Sequence, residues 1–189
     1  MWCAILWFRA LSRHTKLKKH KHHPNLPSIK IQPPTDSFAL AFRNLHPGFR
    51  FNISLCRPVV QRLLSQMGVK KAELSWYFVN SKRMARVNEK YLGHEGPTDV
   101  ITFQYLQHPQ KDILFGDVFI CIDEAHYYAK EFHTTPQSET LRYLIHSILH
   151  LQDFDDIDPS DRKIMKSHEN KWVKWIENQL DMEHILLKR

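Results

Sequence analysis

From Phe51 onward the apolar residues switch repeatedly between two spacings, and the order of the switches limits the folds open to the chain. Phe51–Leu55 alternates and includes a β-branched residue, which predicts a strand. Pro58 suits a first helical turn, and Val59, Val60, Leu63, Leu64 and Met67 then recur at helical spacing up to Gly68. Glu73–Val79 alternates again, with Leu74, Trp76 and Phe78 on one face. Asn80 or Ser81 caps a helix to about Leu92, and Gly93 to Pro97 is loop. Val100–Tyr105 and Phe115–Ile120 read as two further strands, joined through His108, Pro109 and Lys111. Asp123–Phe132 reads as a short helix, and Thr135-Pro136 opens a stronger one to about Leu151. Asp153–Ser160 is an acidic loop, and a last helix begins at Pro159 or Ser160 and reaches about Met182. Strands and helices in this mixed order predict an α+β domain over residues 51–182, with 183–189 as a C-terminal tail.

The first 50 residues differ in kind. They hold nine Lys+Arg and one acid, Asp36, so 9 − 1 = +8, whereas residues 51–189 hold 18 Lys+Arg and 19 Asp+Glu, so 18 − 19 = −1. The net charge of +7 therefore lies wholly in the N-terminal quarter and says little about the domain. No apolar period survives from Arg13 to Gln32, which is rich in Lys, His and Pro and reads as a solvated extension. An organelle transit peptide, a polyanion-binding arm and an upstream start are the competing readings of it. A weak metal site at His20, His22 and His23 ranks below all three. The longest apolar run, Met1 to Phe8, is far short of the roughly 20 residues a membrane helix needs. Its flanking charges follow it rather than precede it, unlike a secretory signal. Cys3, Cys56 and Cys121 are odd in number and scattered, which excludes a disulfide framework and fits a reducing, cytoplasmic setting.

The stretch from Arg142 to Leu151 carries the chemistry. His146 and His150 stand four apart, so on a helix their imidazoles leave the same face about 6 Å apart along the axis. Two neutral imidazoles there can chelate one divalent ion, and Leu144, Ile145, Ile148 and Leu149 would bury the other side. Two histidines and one carboxylate with an open position make a catalytic metal arrangement. Asp153, Asp155, Asp156, Asp158 and Asp161 all crowd the following loop, and chemistry alone does not select among them. A His-Glu-x-x-His peptidase needs Glu after the first His, and position 147 is Ser.

Three blocks resemble the YbeY family of metal-dependent endoribonucleases. Gly96-Pro97-Thr98-Asp99-Val100-Ile101-Thr102-Phe103 is similar to the family's Lys-Pro-Thr-Asp-Val-Leu-Ser-Phe. Phe115-Gly116-Asp117-Val118-Phe119-Ile120-Cys121 is similar to its Leu-Gly-Asp strand, and His146-x-x-x-His150 to the start of its three-histidine motif. The resemblance implies a small mixed four-stranded sheet with surrounding helices, a zincin-like metal helix, and one divalent ion, Zn2+, held by His146, His150 and Asp156. Asp156 stands where the family has its third His, Asp153 replaces the Gly of the turn, and Leu92 stands where the family has a functional Arg. Lys82, Arg86 and Lys90 form a basic stripe on the preceding helix, and Arg86 or Lys90 could substitute for that Arg as substrate-binding residues.

By the same resemblance the substrate is single-stranded RNA, and the role is small-subunit rRNA 3′-end maturation and ribosome quality control. The implied partners are ribosomal RNA, the small ribosomal subunit and an Era-like GTPase. No catalytic general base is identifiable. The rival reading is a non-catalytic, metal-stabilised rRNA-binding or ribosome assembly factor; a hydrolase of another ester or amide is weakened by Ser147.

Overall fold

The computed structural model describes residues 4–7, 37–105 and 111–189. The extension over 8–36, its histidine cluster and the His108–Pro109 connection lie outside the described residues. The strands are β1 (Ala4–Trp7), β2 (Ser37–Asn44), β3 (Phe49–Phe51), β4 (Lys71–Val79), β5 (Val100–Gln104), β6 (Ile113–Cys121) and β7 (Leu186–Lys188). The helices are α1 (Ile53–Gln66), α2 (Ser81–Leu92), α3 (Ile122–Glu131), α4 (Pro136–Leu151) and α5 (Pro159–Glu177). A mixed sheet runs in the order β5, β6, β4, β2, with β1 added beside β5. β2, β4 and β6 are mutually parallel, and β5 is antiparallel to β6. β3 and β7 form a separate antiparallel ladder. The α+β class and the mixed four-stranded core expected from the sequence are present.

Alternation along the strands divides the apolar residues between two faces. Leu74, Trp76 and Phe78 of β4 and Leu114, Val118 and Ile120 of β6 enter the main core with α1, α4 and α5. Aromatic rings stack through it, Phe42 on Trp76 at 5.0 Å and Phe51 on Phe78 at 4.3 Å. On the other face a smaller cluster joins Val79, Ile101, Phe103 and Cys121 to Met84 of α2, with Leu92 packed against it.

Three expectations need correction. The ordered domain begins ahead of residue 51, because β2 pairs along its whole length with β4. Its alternation, with Leu40 and Phe42 buried, is present in the sequence but adjoins the charged extension. A truncation that tests the extension must therefore keep Ser37. Phe51–Leu55 is not a strand: β3 ends at Phe51, and the Asn52 side chain accepts the Leu55 N–H to cap α1, so Pro58 lies inside that helix. Nor are the last residues a tail. α5 ends at Glu177, Ile185 is fully buried, and β7 returns to pair with β3.

Two backbone positions set where the end of α4 lies. Gly116 on β6 faces Gln104 of β5. A Cβ there would sit 2.5 Å from the Phe103 carbonyl oxygen and 3.1 Å from Cδ2 of Leu151 at the end of α4. The missing side chain lets the helix end settle on the sheet. After α4, Asp153 takes φ +63°, and Asp153 N–H and Phe154 N–H bond back to the carbonyls of His150 and Leu149. That is a Schellman termination made with Asp in the left-handed position usually given to Gly. Asp153→Gly is expected to stabilise the domain by up to about 1 kcal/mol, read from the urea midpoint.

Candidate metal centre

α4 starts sharply. The Thr135 hydroxyl accepts the Ser138 N–H, and Pro136 occupies the first turn. Leu144, Ile145, Ile148 and Leu149 are at most 1% exposed, so that side of the helix is fixed against the core. Ser147 is fully buried: its hydroxyl donates to the Leu144 carbonyl at 2.6 Å and accepts from Trp76 Nε1 at 3.3 Å. The position that would hold a peptidase's general base is thus a hydroxyl engaged with the sheet.

The opposite side presents residues spaced by four: Arg142, His146 and His150. The Schellman turn folds the following loop back, and Asp156 meets the two histidines. His146 Nε2 and His150 Nε2 are 2.8 Å apart, and each lies 3.8 Å from one Asp156 carboxylate oxygen. One ligand atom from each of the three falls within 4.8 Å of the others, and no other such group of three occurs among the described residues.

The outer partners decide the tautomers. His146 Nδ1 faces Glu169 Oε1 at 2.7 Å, and His150 Nδ1 faces the Phe154 carbonyl at 2.9 Å. The Glu169 carboxylate and the Phe154 carbonyl can only accept, so both Nδ1 atoms carry the hydrogen and, when the rings are neutral, both Nε2 atoms present lone pairs. Two lone pairs and a carboxylate converging on one point attract a proton or a metal cation between them. One ion bonded at ~2.0–2.2 Å to three tetrahedral donors needs them roughly 3.3–3.6 Å apart. The observed 2.8 and 3.8 Å bracket that spacing. The residues present therefore fit a divalent ion.

Glu169, 6% exposed, is itself held by Arg142, whose Nη1 donates to Glu169 Oε2 at 3.2 Å and to Asn170 Oδ1 at 2.8 Å. Burial opposes the Glu169 charge, but His146 and Arg142 outweigh it and hold the carboxyl below its ordinary value. Burial raises the Asp156 pKa, partly offset by His146. Replacing Glu169 by Gln is expected to weaken metal affinity ~10–100-fold, since the His146 tautomer loses its carboxylate partner; metal titration with a competing chelator measures it.

Burial, and then the neighbouring His146, push the His150 pKa down from 6.5 to about 4. Because the folded value is depressed, the neutral ring's contribution to stability is complete above pH 6.5 and is lost as pH falls through about 4. The metal-free protein is expected to lose about 3 kcal/mol between those limits. Urea midpoints against pH, with His150→Gln giving a flatter profile, check this.

A cleft of about 220 Å³ opens at this centre. Asp99, Arg142, Tyr143 and Glu169 contribute to its wall, with Phe132, Arg162 and Lys166 at its edge. The Tyr143 hydroxyl is buried there without a hydrogen-bond partner. Arg162 also braces the Asp156 loop through the carbonyls of Asp156 and Ile157.

The structure does not bring the expected basic stripe to this cleft. Lys82, Arg86 and Lys90 are exposed on α2, none lines the cleft, and Lys90 Nζ lies 4.7 Å from the Tyr91 ring centre. α2 turns Met84 and Asn88 inward instead. Leu92 packs into the smaller apolar cluster. The cations at the cleft come from α4 and α5. Arg142 was legible as the residue four before His146; Glu169, Arg162 and Lys166 carry no such signal. Asp117, within a recognisable block, accepts a hydrogen bond from Tyr105 away from the cleft.

A family model described as "Endoribonuclease YbeY" matches residues 50–177. The protein of that name from Parabacteroides distasonis is 35% identical over 112 residues, 59% of this chain and 77% of the relative. Its namesake in Bacteroides thetaiotaomicron is 36% identical over 112 residues, 59% of this chain and 80% of the relative. The Salinibacter ruber protein of the same name is 27% identical over a longer span, 75% of this chain and 94% of the relative. The solution structure of TM1509 from Thermotoga maritima shares the fold, with a TM-score of 0.52 at 23% identity over 72% of this chain and 93% of that one. The family match spans about two thirds of the chain and takes in α4, its turn and the acidic loop, so this protein belongs to the YbeY family.

Proposed function

We propose that the protein is a metal-dependent endoribonuclease that hydrolyses single-stranded RNA. The observation that carries this reading is the convergence of two imidazole lone pairs and one carboxylate, with both ring tautomers set from behind. His146, His150 and Asp156 would hold the ion, and two nitrogens with one oxygen favour Zn2+. When bound, such an ion supplies Lewis acidity that activates water near neutral pH and draws charge from a phosphoryl oxygen. Glu169 and the Phe154 carbonyl keep both rings in the ligating tautomer. Arg162 and Lys166 attract the phosphate, and the Tyr143 hydroxyl is a donor within reach of the cleft. The names of the relatives support RNA as the substrate. The wider reading places the activity in small-subunit rRNA 3′-end maturation and ribosome quality control, in the cytoplasm, with an Era-like GTPase as partner. No described helix is long and apolar enough to cross a membrane.

A second reading, a non-catalytic assembly factor that binds rRNA, is favoured by Leu92, which stands at the family's Arg position and is packed in an apolar cluster. Turnover separates the two. Metal-dependent cleavage of single-stranded RNA supports the nuclease; RNA binding without cleavage, unaltered by Leu92→Arg, supports the assembly factor.

A further inference from the structure

A second cleft of about 550 Å³ adjoins the first, and the two share Asp99. Asn88, Pro97, Glu124 and Tyr128 contribute to its lining. Asn88 is 5% exposed; its Nδ2 donates to the Gly96 carbonyl at 2.9 Å, while its Oδ1 is buried with no hydrogen-bond partner. The partly buried Glu124 carboxylate makes no hydrogen bond or ion pair among the described residues. An amide oxygen lacking a donor and a carboxylate lacking a cation, both in the lining of one pocket, describe a site for a ligand that donates. The pocket also has an aromatic connection to the metal centre. The Tyr128 ring stacks on Phe132 at 5.5 Å and 15°, and Phe132, 48% exposed, lines the first cleft with Lys166 Nζ 5.8 Å from its ring centre. Tyr128 itself lines the second. A stacked aromatic pair running from one cleft to the next is a platform for successive bases of a single strand.

We propose that the second cleft receives a nucleobase of the strand whose phosphate lies at the metal centre, and that Asn88 and Glu124 select a base bearing an exocyclic amino group over uracil. This rests on the reading of the first cleft as an RNA site. Guanine, adenine and cytosine each present an exocyclic amino group, whose two hydrogens can serve both acceptors, whereas uracil offers a single N3–H flanked by two carbonyl oxygens that the acceptors repel. Tyr128 and Phe132 supply stacking, which every base satisfies, so they add affinity without choice.

The test uses the full chain with chelator present, so that binding is read without cleavage. Fluorescence anisotropy compares a uridine hexamer with hexamers carrying one central guanine, adenine or cytosine. The amino-bearing hexamers are expected to bind about tenfold more tightly. Glu124→Gln and Glu124→Ala should each bring that ratio below about threefold, and Tyr128→Leu should weaken all hexamers alike and leave the ratio in place. Equal binding of all four hexamers, a ratio untouched by both Glu124 variants, or no binding of any hexamer overturns the pocket. Cleavage with zinc restored is the separate arm. Base preference in binding without cleavage keeps the pocket and removes the nuclease, and cleavage indifferent to base does the reverse.

Discussion

Replacing His150 by alanine is expected to strip the domain of its metal and to reduce RNA cleavage by far more than the ~10–100-fold that loss of an outer partner costs. The reason is geometric. His150 contributes one of only two nitrogens at the centre, and its other ring nitrogen ties the Phe154 carbonyl, within the turn that returns Asp156. Truncation would therefore remove a proposed ligand and slacken the loop that carries a second one. His146→Ala removes a ligand and also leaves Glu169 and Arg142 paired without the ring they orient. Both variants leave a small cavity and an unpaired acceptor, so each loses about 1–3 kcal/mol of stability. Circular dichroism at 20 °C should still show a folded domain, while metal analysis shows less than one tenth of the wild-type content. Normal metal content and normal cleavage in both variants would place the chemistry elsewhere.

Gly116→Ala is expected to be the most damaging small substitution outside the centre. A Cβ cannot lie 2.5 Å from a backbone oxygen, and here the oxygen belongs to Phe103 on the neighbouring strand. β6 and β5 would have to part, or the strand shift, and Leu151 at 3.1 Å blocks relief toward α4. Overpacking of this kind costs typically 1–3 kcal/mol, and backbone rather than a flexible side chain on the far side puts this case at or above the upper end. Because Leu151 directly follows His150, metal affinity should fall along with stability. A urea midpoint shifted down with unchanged slope, together with weakened zinc binding, is the expected pair of results. A variant as stable as wild type would mean that β5 and β6 do not approach as closely as described.

The convergence of His146 and His150 was largely legible because helical spacing and a long apolar face make the direction of both rings a local property of α4. Asp156 was one of several acids by residue type, and it became distinct only through the resemblance to a known motif. Glu169 was not legible: it lies 23 residues beyond His146, and the rotation of α5 that aims it is set by Met165, Trp172 and Val173 packing on the core. Lys82, Arg86 and Lys90 are spaced as one helical face and are exposed on α2. Which face meets the cleft depends on α2 burying Met84 and Asn88, a tertiary fact. β2 was missed for a different reason. Its alternation is clear, but Ser37–Asn44 directly follows the basic, Pro-rich extension and shares its positive charge balance. β7 gains its order from pairing with β3, more than 130 residues earlier, and so left no local mark.

The account turns on one measurement: cleavage of a labelled single-stranded RNA by the full chain, with zinc, with chelator, and with zinc restored. Cleavage that stops with chelator, returns with zinc and is absent from His146→Ala and His150→Ala is the predicted result. Cleavage indifferent to chelator and to both substitutions, or none from the zinc-loaded protein, would contradict it.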